Sequence, residues 1–99
     1  MEEITVAELA KRDGSVVVDV REPDEYDAGH VPGVINIPLS QLRLRSAEIS
    51  SDSPVYVICQ SGRRSAQATE VLGSMGTPAV NVIGGTAAWI AAGLPVEVA

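Results

Sequence analysis

The sequence contains one cysteine, Cys59, together with one tryptophan, two tyrosines and no phenylalanine. A single cysteine excludes an internal disulfide framework, and a free thiol suits a reducing compartment. Because aromatic side chains are so few, the core has to be built from the aliphatic residues Val, Ile, Leu and Ala.

Long apolar runs and clustered positive charge are also missing. The apolar runs cover only a few residues each, far short of the roughly 20 needed to span a bilayer. Residues 1–14 lack a basic start followed by an apolar segment, which argues against a secretory signal. The net charge of -6 disfavours nucleic acid and anionic membrane surfaces, which require concentrated Lys and Arg. We therefore expect a cytoplasmic protein that binds neither nucleic acid nor membranes.

The remaining composition is that of a folded protein. A chain of 99 residues has room for one core, which predicts one domain. A hydrophobic fraction of 45% and a charged fraction of 20% argue against disorder.

Strand-like and helix-like segments alternate along the chain. Runs rich in β-branched residues predict strands at 15–20, 33–39, 54–59 and 78–85, the first two as buried strands. Helices are predicted at 5–8 (a capping box), 22–30, after a Ser40 cap, at 64–75 and at 86–93. The predicted helix at 64–75 presents Ala68, Val71, Leu72 and Met75 on one face. The alternation predicts βα units and a mostly parallel sheet with helices on both faces.

Cys59 and Asp19 each stand at the carboxyl end of a predicted strand. Open α/β sheets bind ligands in the crevice beyond those ends. If the two strands are neighbours, we expect both residues to lie at one crevice.

The segment CQSGRRS, residues 59–65, predicts an anion-binding loop around the cysteine sulfur. Gly62 allows a sharp turn, and the first amides of the following helix have no intrahelical partner. Amides that point at the sulfur form an anion nest, and such surroundings lower a thiol pKa from about 8.5 to roughly 3.5–7.5. Arg63 and Arg64 add positive charge and forked donors for an oxyanion.

Other interpretations of these residues have less support in the sequence. A lone cysteine is commonly a small buried hydrophobe, but the strand-end position, Gly62 and the paired arginines favour a reactive thiol. One cysteine and one histidine cannot supply a structural zinc site. A protease-like Cys–His pair would need His30, whose place in a turn favours a capping or strand-start role. The GGTAAW segment lacks the lysine and spacing of a phosphate-binding loop.

Over nearly its whole length the sequence resembles the single-domain rhodaneses, or rhodanese-like sulfurtransferases. The matching segments are DVREPDEYDAGHVPGVINIPL at 19–39, CQSGRRS at 59–65 and NVIGGTAAWIAAGLPVE at 81–97. The resemblance implies one rhodanese-like domain over residues 1–99, with a central, mostly parallel five-stranded sheet.

The resemblance also implies an activity for Cys59. The cysteine would take a sulfane sulfur from a donor such as thiosulfate, hold it as a persulfide, and pass it to a thiophilic acceptor, cyanide in the standard assay. Substrate-binding positions implied by the loop are Gln60, Ser61, Gly62, Arg63, Arg64 and Ser65. Asp19 and Arg21 match the family's D-x-R segment, and we interpret them as a structural ion pair that supports the loop. Trp89 matches a C-terminal motif and is interpreted as a packing anchor. Neither a metal nor another cofactor is implied.

Two alternatives to an independent enzyme stay open. The first is a sulfur-carrier or binding module that has little turnover alone and acts with a sulfur-relay partner protein. The second is a phosphatase-like activity, which the loop length disfavours: Cys59 to Arg64 spans six residues, whereas related phosphatases carry a longer loop around a tetrahedral phosphate. The identity of the cellular donor and acceptor, and the oligomeric state, do not follow from the sequence.

Overall fold

The computed structural model describes residues 1–49 and 53–99. Its strands are β1 (Glu3–Ile4), β2 (Val17–Asp19), β3 (Ile35–Asn36), β4 (Val55–Ile58) and β5 (Ala79–Val82). Its helices are α1 (Val6–Leu9), α2 (Pro23–Ala28), α3 (Arg63–Ser74) and α4 (Gly85–Ala91), with 3₁₀ turns at Leu39–Gln41 and Ser46–Glu48.

The five strands form one sheet in the order β1-β5-β4-β2-β3. Every pair of neighbouring strands is parallel, so the predicted α/β fold with a five-stranded, mostly parallel sheet is confirmed. β2 lies directly beside β4, with Asp19 opposite Ile58. The carboxyl ends of β2 and β4, which lead to Arg21 and to Cys59, are therefore adjacent.

The core consists of two apolar layers, one on each face of the sheet. Successive strand residues point to opposite faces, so Val17, Tyr56 and Ile58 join the layer that contains Trp89 of α4. Val18, Val57 and Cys59 join the layer that contains Ala68 and Leu72 of α3. Helices consequently cover both faces, and the cysteine lies on the α3 side.

Four of the five predicted helices are present, with shifted ends. Thr5 and Glu8 form the expected capping box at α1. α3 begins at Arg63, one residue before the predicted start, and ends at Ser74. Of its predicted apolar face, Ala68 and Leu72 are fully buried, whereas Met75 is 38% exposed. Met75 follows the last helical residue, Ser74, so the helical spacing no longer directs its side chain toward the core.

Two local predictions are wrong. The segment at 33–39 contains only the two-residue edge strand β3, and its Ile35 is 36% exposed because an edge strand has a neighbour on one side only. Ser40 does not cap a helix; it lies within the 3₁₀ turn, which begins after Pro38. Strand β1 was absent from the predicted strand pattern because two residues are too few to show a period.

Within the described residues, no helix is both long and apolar enough to cross a membrane.

Replacement of Leu72 by Ala should destabilise the fold strongly. Leu72 is 0% exposed, and removal of a buried leucine side chain costs about 2–5 kcal/mol. Urea unfolding followed by circular dichroism measures the loss as a lower midpoint. Met75→Ala is the matched control, because it removes a half-exposed side chain at the end of the same helix and should cost about 0.5 kcal/mol or less. Equal losses in the two variants would contradict the orientation of α3.

Candidate active site

Cys59 follows β4 directly, and the chain then turns into α3 within three residues. Gly62 is the N-cap of α3 and has φ 101° and ψ -2°, a left-handed conformation that favours glycine. A side chain at this position would also press on the backbone nitrogen of Gly84, 3.3 Å from an added Cβ. The sharp turn that the sequence predicted therefore has both a conformational and a steric reason to use glycine.

The turn directs hydrogen-bonding groups at the sulfur. The backbone N–H of Gly62 donates to Cys59 Sγ at 3.0 Å. Cys59 Sγ lies 3.3 Å from Ser65 Oγ, which comes from the first turn of α3. Two loop residues thus contact the sulfur directly.

These contacts govern the ionisation of the thiol. Cys59 is 1% exposed, and burial by itself raises its pKa because the thiolate loses hydration. The Ser65 hydroxyl, followed by the backbone N–H groups of Ser65, Gly62 and Ser61, stabilises the thiolate, and the net effect lowers the pKa of Cys59 below its ordinary value. A buried cysteine with a lowered pKa is a candidate nucleophile.

The start of α4 holds the carbonyl groups of the loop away from the sulfur. The Thr86 N–H donates to Cys59 O at 2.8 Å, and the Ala87 N–H donates to Gln60 O at 3.0 Å. Gly85, with φ 58°, packs so closely that a Cβ there would collide with the backbone of Cys59 and Gln60. Sequence reasoning placed Gly85 and Thr86 in a matching segment but missed this role, for which the adjacent glycines before a helix were the available signal.

The two arginines of the loop lie in different environments. Arg64 donates to both carboxylate oxygens of Glu25, at 2.7 and 2.9 Å. The hydrogen bonds from Arg64 lower the pKa of Glu25 to about 2. Arg63 is exposed, and no hydrogen bond of its side chain is found within residues 1–49 and 53–99. Arg64 is therefore anchored on α2, while Arg63 extends into solvent.

Asp19 and Arg21 form a buried ion pair. Arg21 Nη2 lies 2.9 Å from Asp19 Oδ2, and the side chains are 4% and 0% exposed respectively. Arg21 also donates to Gly29 O at 2.8 Å and to Gln60 Oε1 at 3.3 Å. The pair reaches the loop at Gln60, and Arg21 ties that loop residue to the chain after β2.

Ser61 and Gln60 complete the loop. Both residues are exposed, so they form its outer surface while Ser65, 0% exposed, forms its inner wall.

A polar residue in β5 was missed by the sequence reasoning. Asn81 is 3% exposed, and its Oδ1 accepts a hydrogen bond from Ser65 Oγ at 2.5 Å. The signal for it was an asparagine inside the β-branched run AVNV, where a buried amide requires partners.

His30 contacts α2 and the segment near the C-terminus. Its ring stacks on Tyr26 with centroids 3.7 Å apart, and its Nδ1 lies 2.8 Å from Tyr26 O. Its backbone pairs with Glu97. These contacts agree with a structural role in the turn.

One further feature, a cavity, lies apart from the thiol. A cavity of about 590 Å³ opens at the amino end of β2, where Leu9, Val17 and Trp89 contribute to its wall. Across residues 1–49 and 53–99, no group of three or more His, Cys, Asp or Glu side chains is placed to hold a metal ion.

Comparison with solved structures reproduces the whole architecture. The crystal structure of a rhodanese-related protein from Thermoplasma volcanium superposes with a TM-score of 0.94 at 39% identity, and the match covers 100% of both chains.

Curated relatives carry names from sulfur chemistry. A sulfurtransferase of Allochromatium vinosum is 37% identical over 89 residues, which cover 89% of this chain and 83% of that protein. The thiosulfate sulfurtransferase PspE of Escherichia coli is 44% identical over 70 residues, which cover 69% of this chain and 67% of PspE. The putative sulfur carrier protein YrkF of Bacillus subtilis is 39% identical over 74 residues, or 74% of this chain and 40% of YrkF. The chain spans about half the length of YrkF and of two other curated relatives, between 40% and 59% of each.

The family model for the rhodanese-like domain matches residues 5–92, which include the cysteine loop, the Asp19–Arg21 pair and the α4 residues that support the loop. This chain belongs to the rhodanese-like domain family.

Proposed function

We propose that the protein is a sulfurtransferase that carries a sulfane sulfur on Cys59 as a persulfide. The observation that carries the proposal is the Gly62 N–H 3.0 Å from the buried Sγ, together with the lowered pKa of that thiol. A thiolate is the reactive form of cysteine, and a persulfide is likewise anionic. The same loop donors therefore stabilise the resting and the loaded form.

The reaction runs as two displacements with thiosulfate as donor. The Cys59 thiolate attacks the outer sulfur of thiosulfate, an S–S bond forms to Sγ, and the bond to the sulfonate sulfur breaks. Its electron pair leaves with sulfite. In the second step, cyanide attacks the terminal sulfur of the persulfide and the S–S bond to Sγ breaks. Its electron pair stays on Sγ, so the thiolate is regenerated and thiocyanate leaves. Such covalent catalysis divides one transfer into two easier steps.

Positive charge at the loop suits an anionic donor. Arg63 is exposed beside the loop, and Arg64 stands on the first turn of α3. In an acidic protein with a net charge of -6, Arg63 gives the loop mouth a local positive charge, and the Arg64 guanidinium, paired with Glu25, is a second donor for an oxyanion. The name of the relative PspE supports thiosulfate as a donor.

A second function, that of a sulfur carrier, is favoured by the burial of Cys59. The residue is 1% exposed, and the chain aligns with 40% of a protein named as a putative sulfur carrier. In this alternative the loop loads sulfur and discharges it to a sulfur-relay partner protein, with little turnover on cyanide. A free thiol suits a reducing compartment, and we propose a cytoplasmic location.

Incubation with thiosulfate should add the mass of one sulfur atom to the protein, as measured by intact mass spectrometry. Cys59→Ser is the control and should gain no mass, because it removes the only thiol. Loading followed by rapid thiocyanate formation supports the enzyme, whereas loading with slow thiocyanate formation supports the carrier. A mass gain in Cys59→Ser would contradict both functions.

Arg64→Ala should raise the KM for thiosulfate with a smaller effect on kcat. Loss of a hydrogen bond to a charged group costs about 1.5–3 kcal/mol, which corresponds to a tenfold to hundredfold loss in kcat/KM. Steady-state assays with thiosulfate and cyanide measure the change.

Glu25→Gln is the matched variant for Arg64. It removes the carboxylate that holds Arg64 at 2.7 Å but keeps the arginine, so the KM for an anionic donor should fall or stay unchanged. If Glu25→Gln raises the KM as much as Arg64→Ala does, the ion pair matters for the fold and Arg64 does not bind the donor.

The rate of persulfide formation should follow a single ionisation whose pKa lies below that of an ordinary cysteine, about 8.5. The sign follows from the reactive form: the rate falls as pH drops through the pKa, because the thiol replaces the thiolate. Ser65→Ala should move the inflection to higher pH, because the Ser65 hydroxyl lowers the pKa of Cys59. Stopped-flow loading measured across pH tests both expectations, and an unchanged inflection in Ser65→Ala would contradict that role of the hydroxyl.

A further inference from the structure

A line of polar groups runs from the sulfur across the sheet to its far edge. Ser65 Oγ, on α3, donates to Asn81 Oδ1 at 2.5 Å, and Asn81 Nδ2 donates to Glu3 Oε2 on β1 at 3.0 Å. The same amide nitrogen lies 3.4 Å from Gly62 O. Glu3 and Asn81 are register partners of neighbouring parallel strands, so their side chains point to the same face.

The partners of Asn81 determine which way its amide points. A carboxylate and a backbone carbonyl can only accept hydrogen bonds, so Nδ2 has to face Glu3 and Gly62. Oδ1 is then left to face Ser65, and it attracts the single hydrogen of the Ser65 hydroxyl. At rest the thiol of Cys59 donates to Ser65 Oγ, at 3.3 Å.

Ionisation of Cys59 changes the Ser65 hydroxyl from the acceptor of a hydrogen bond from the thiol to a potential donor to the thiolate. A thiolate is an acceptor, so Ser65 can stabilise it only by turning its hydrogen from Asn81 Oδ1 to Sγ. Two acceptors compete for one hydrogen. In a buried setting such a bond is stronger than in water, and its loss is more costly.

We propose that Asn81, oriented by Glu3, is a positioning residue that competes with the Cys59 thiolate for the Ser65 hydroxyl hydrogen and so limits how readily the nucleophile ionises. The proposal rests on the proposed function to the extent that Cys59 is the nucleophile. It assigns a task to a residue of β5 and to one of β1, which lie outside the loop itself.

The remaining charged groups near Cys59 are separate from this line. They include the exposed Arg63 beside the loop and Arg64, whose pKa is raised chiefly by its Glu25 partner and to a smaller extent by Cys59. The Asp19–Arg21 pair also belongs to them and reaches the loop through Gln60. Substitutions at Asn81 and Glu3 leave all of them in place.

The test is a titration of the lone thiol by the ultraviolet absorbance of its thiolate, with no sulfur donor present. Cys59→Ser supplies the background from tyrosine. Asn81→Leu, which removes the competing acceptor at similar size, should lower the pKa of Cys59 by about half a unit to one unit, the effect of one strengthened hydrogen bond. In a Ser65→Ala background the same substitution should produce no shift, because no hydroxyl hydrogen remains to be released.

A second variant tests the part assigned to Glu3. Glu3→Gln changes an exposed side chain, keeps its size and can donate to a reversed Asn81 amide, so it should shift the pKa of Cys59 in the same downward direction by a smaller amount. It also decides the matter if Asn81→Leu does not fold, which thermal unfolding would reveal. Loss of the Glu3 charge by itself would shift the pKa equally with and without Ser65, whereas release of the hydroxyl hydrogen requires Ser65, so Glu3→Gln is measured in the Ser65→Ala background as well.

The outcomes separate cleanly. A downward shift that depends on Ser65 supports the proposal. An upward shift, no shift, or an equal shift with and without Ser65 overturns it, and absence of a shift in Glu3→Gln overturns the orienting role of that carboxylate. Because no sulfur donor is used, failure here is distinct from failure of sulfur transfer, which the mass measurement reports.

Discussion

The loop after Cys59 can close around its own sulfur because two of its carbonyl groups are held on the opposite side. Those carbonyls, of Cys59 and Gln60, accept hydrogen bonds from the first amides of α4. Gly85 permits the close approach, since a side chain there would strike the same two residues. The Gln60 carbonyl shares its peptide plane with the Ser61 N–H, one of the amides that lower the pKa of Cys59. The contact from Ala87 that fixes this carbonyl therefore also directs the Ser61 N–H toward the opposite side, where the sulfur lies. Parallel strands bring the pieces together, because β4 ends where α4, after the neighbouring β5, begins.

Charged side chains near the carboxyl ends of the strands form ion pairs. Asp19 is matched by Arg21 without exposure to solvent, and Arg64 is matched by Glu25 at the surface. Burial of an unpaired charge would be costly, so the pairing lets a buried carboxylate stand close to a site that favours a second anion. Positive charge in excess of these pairs comes from Arg63 and from backbone dipoles. Dipoles that are fixed by the fold need no rearrangement when charge appears on the sulfur.

Much of the fold and the centre of the site could be predicted from local sequence. The β-branched runs that contain β2, β4 and β5 and the apolar period of α3 are strong signals, and CQSGRRS placed Cys59, Gly62 and Ser65 in one turn. Features that depend on distant partners could not be predicted in this way. β1 and β3 have two residues each, too few to carry a period, and Glu3 meets Asn81 only because β1 pairs with β5. Likewise, the contact between Arg64 and Glu25 joins residues 39 positions apart on α3 and α2, which no local pattern specifies.

Trp89 adds a practical property to this arrangement. It is the only tryptophan in the chain, it is 6% exposed, and its indole N–H is fixed on Pro95 O at 2.6 Å. It also stands one helical turn after Thr86, whose amide holds the carbonyl of Cys59. Tryptophan fluorescence therefore reports on a single site, one helical turn from the amide that holds the Cys59 carbonyl, without any introduced label.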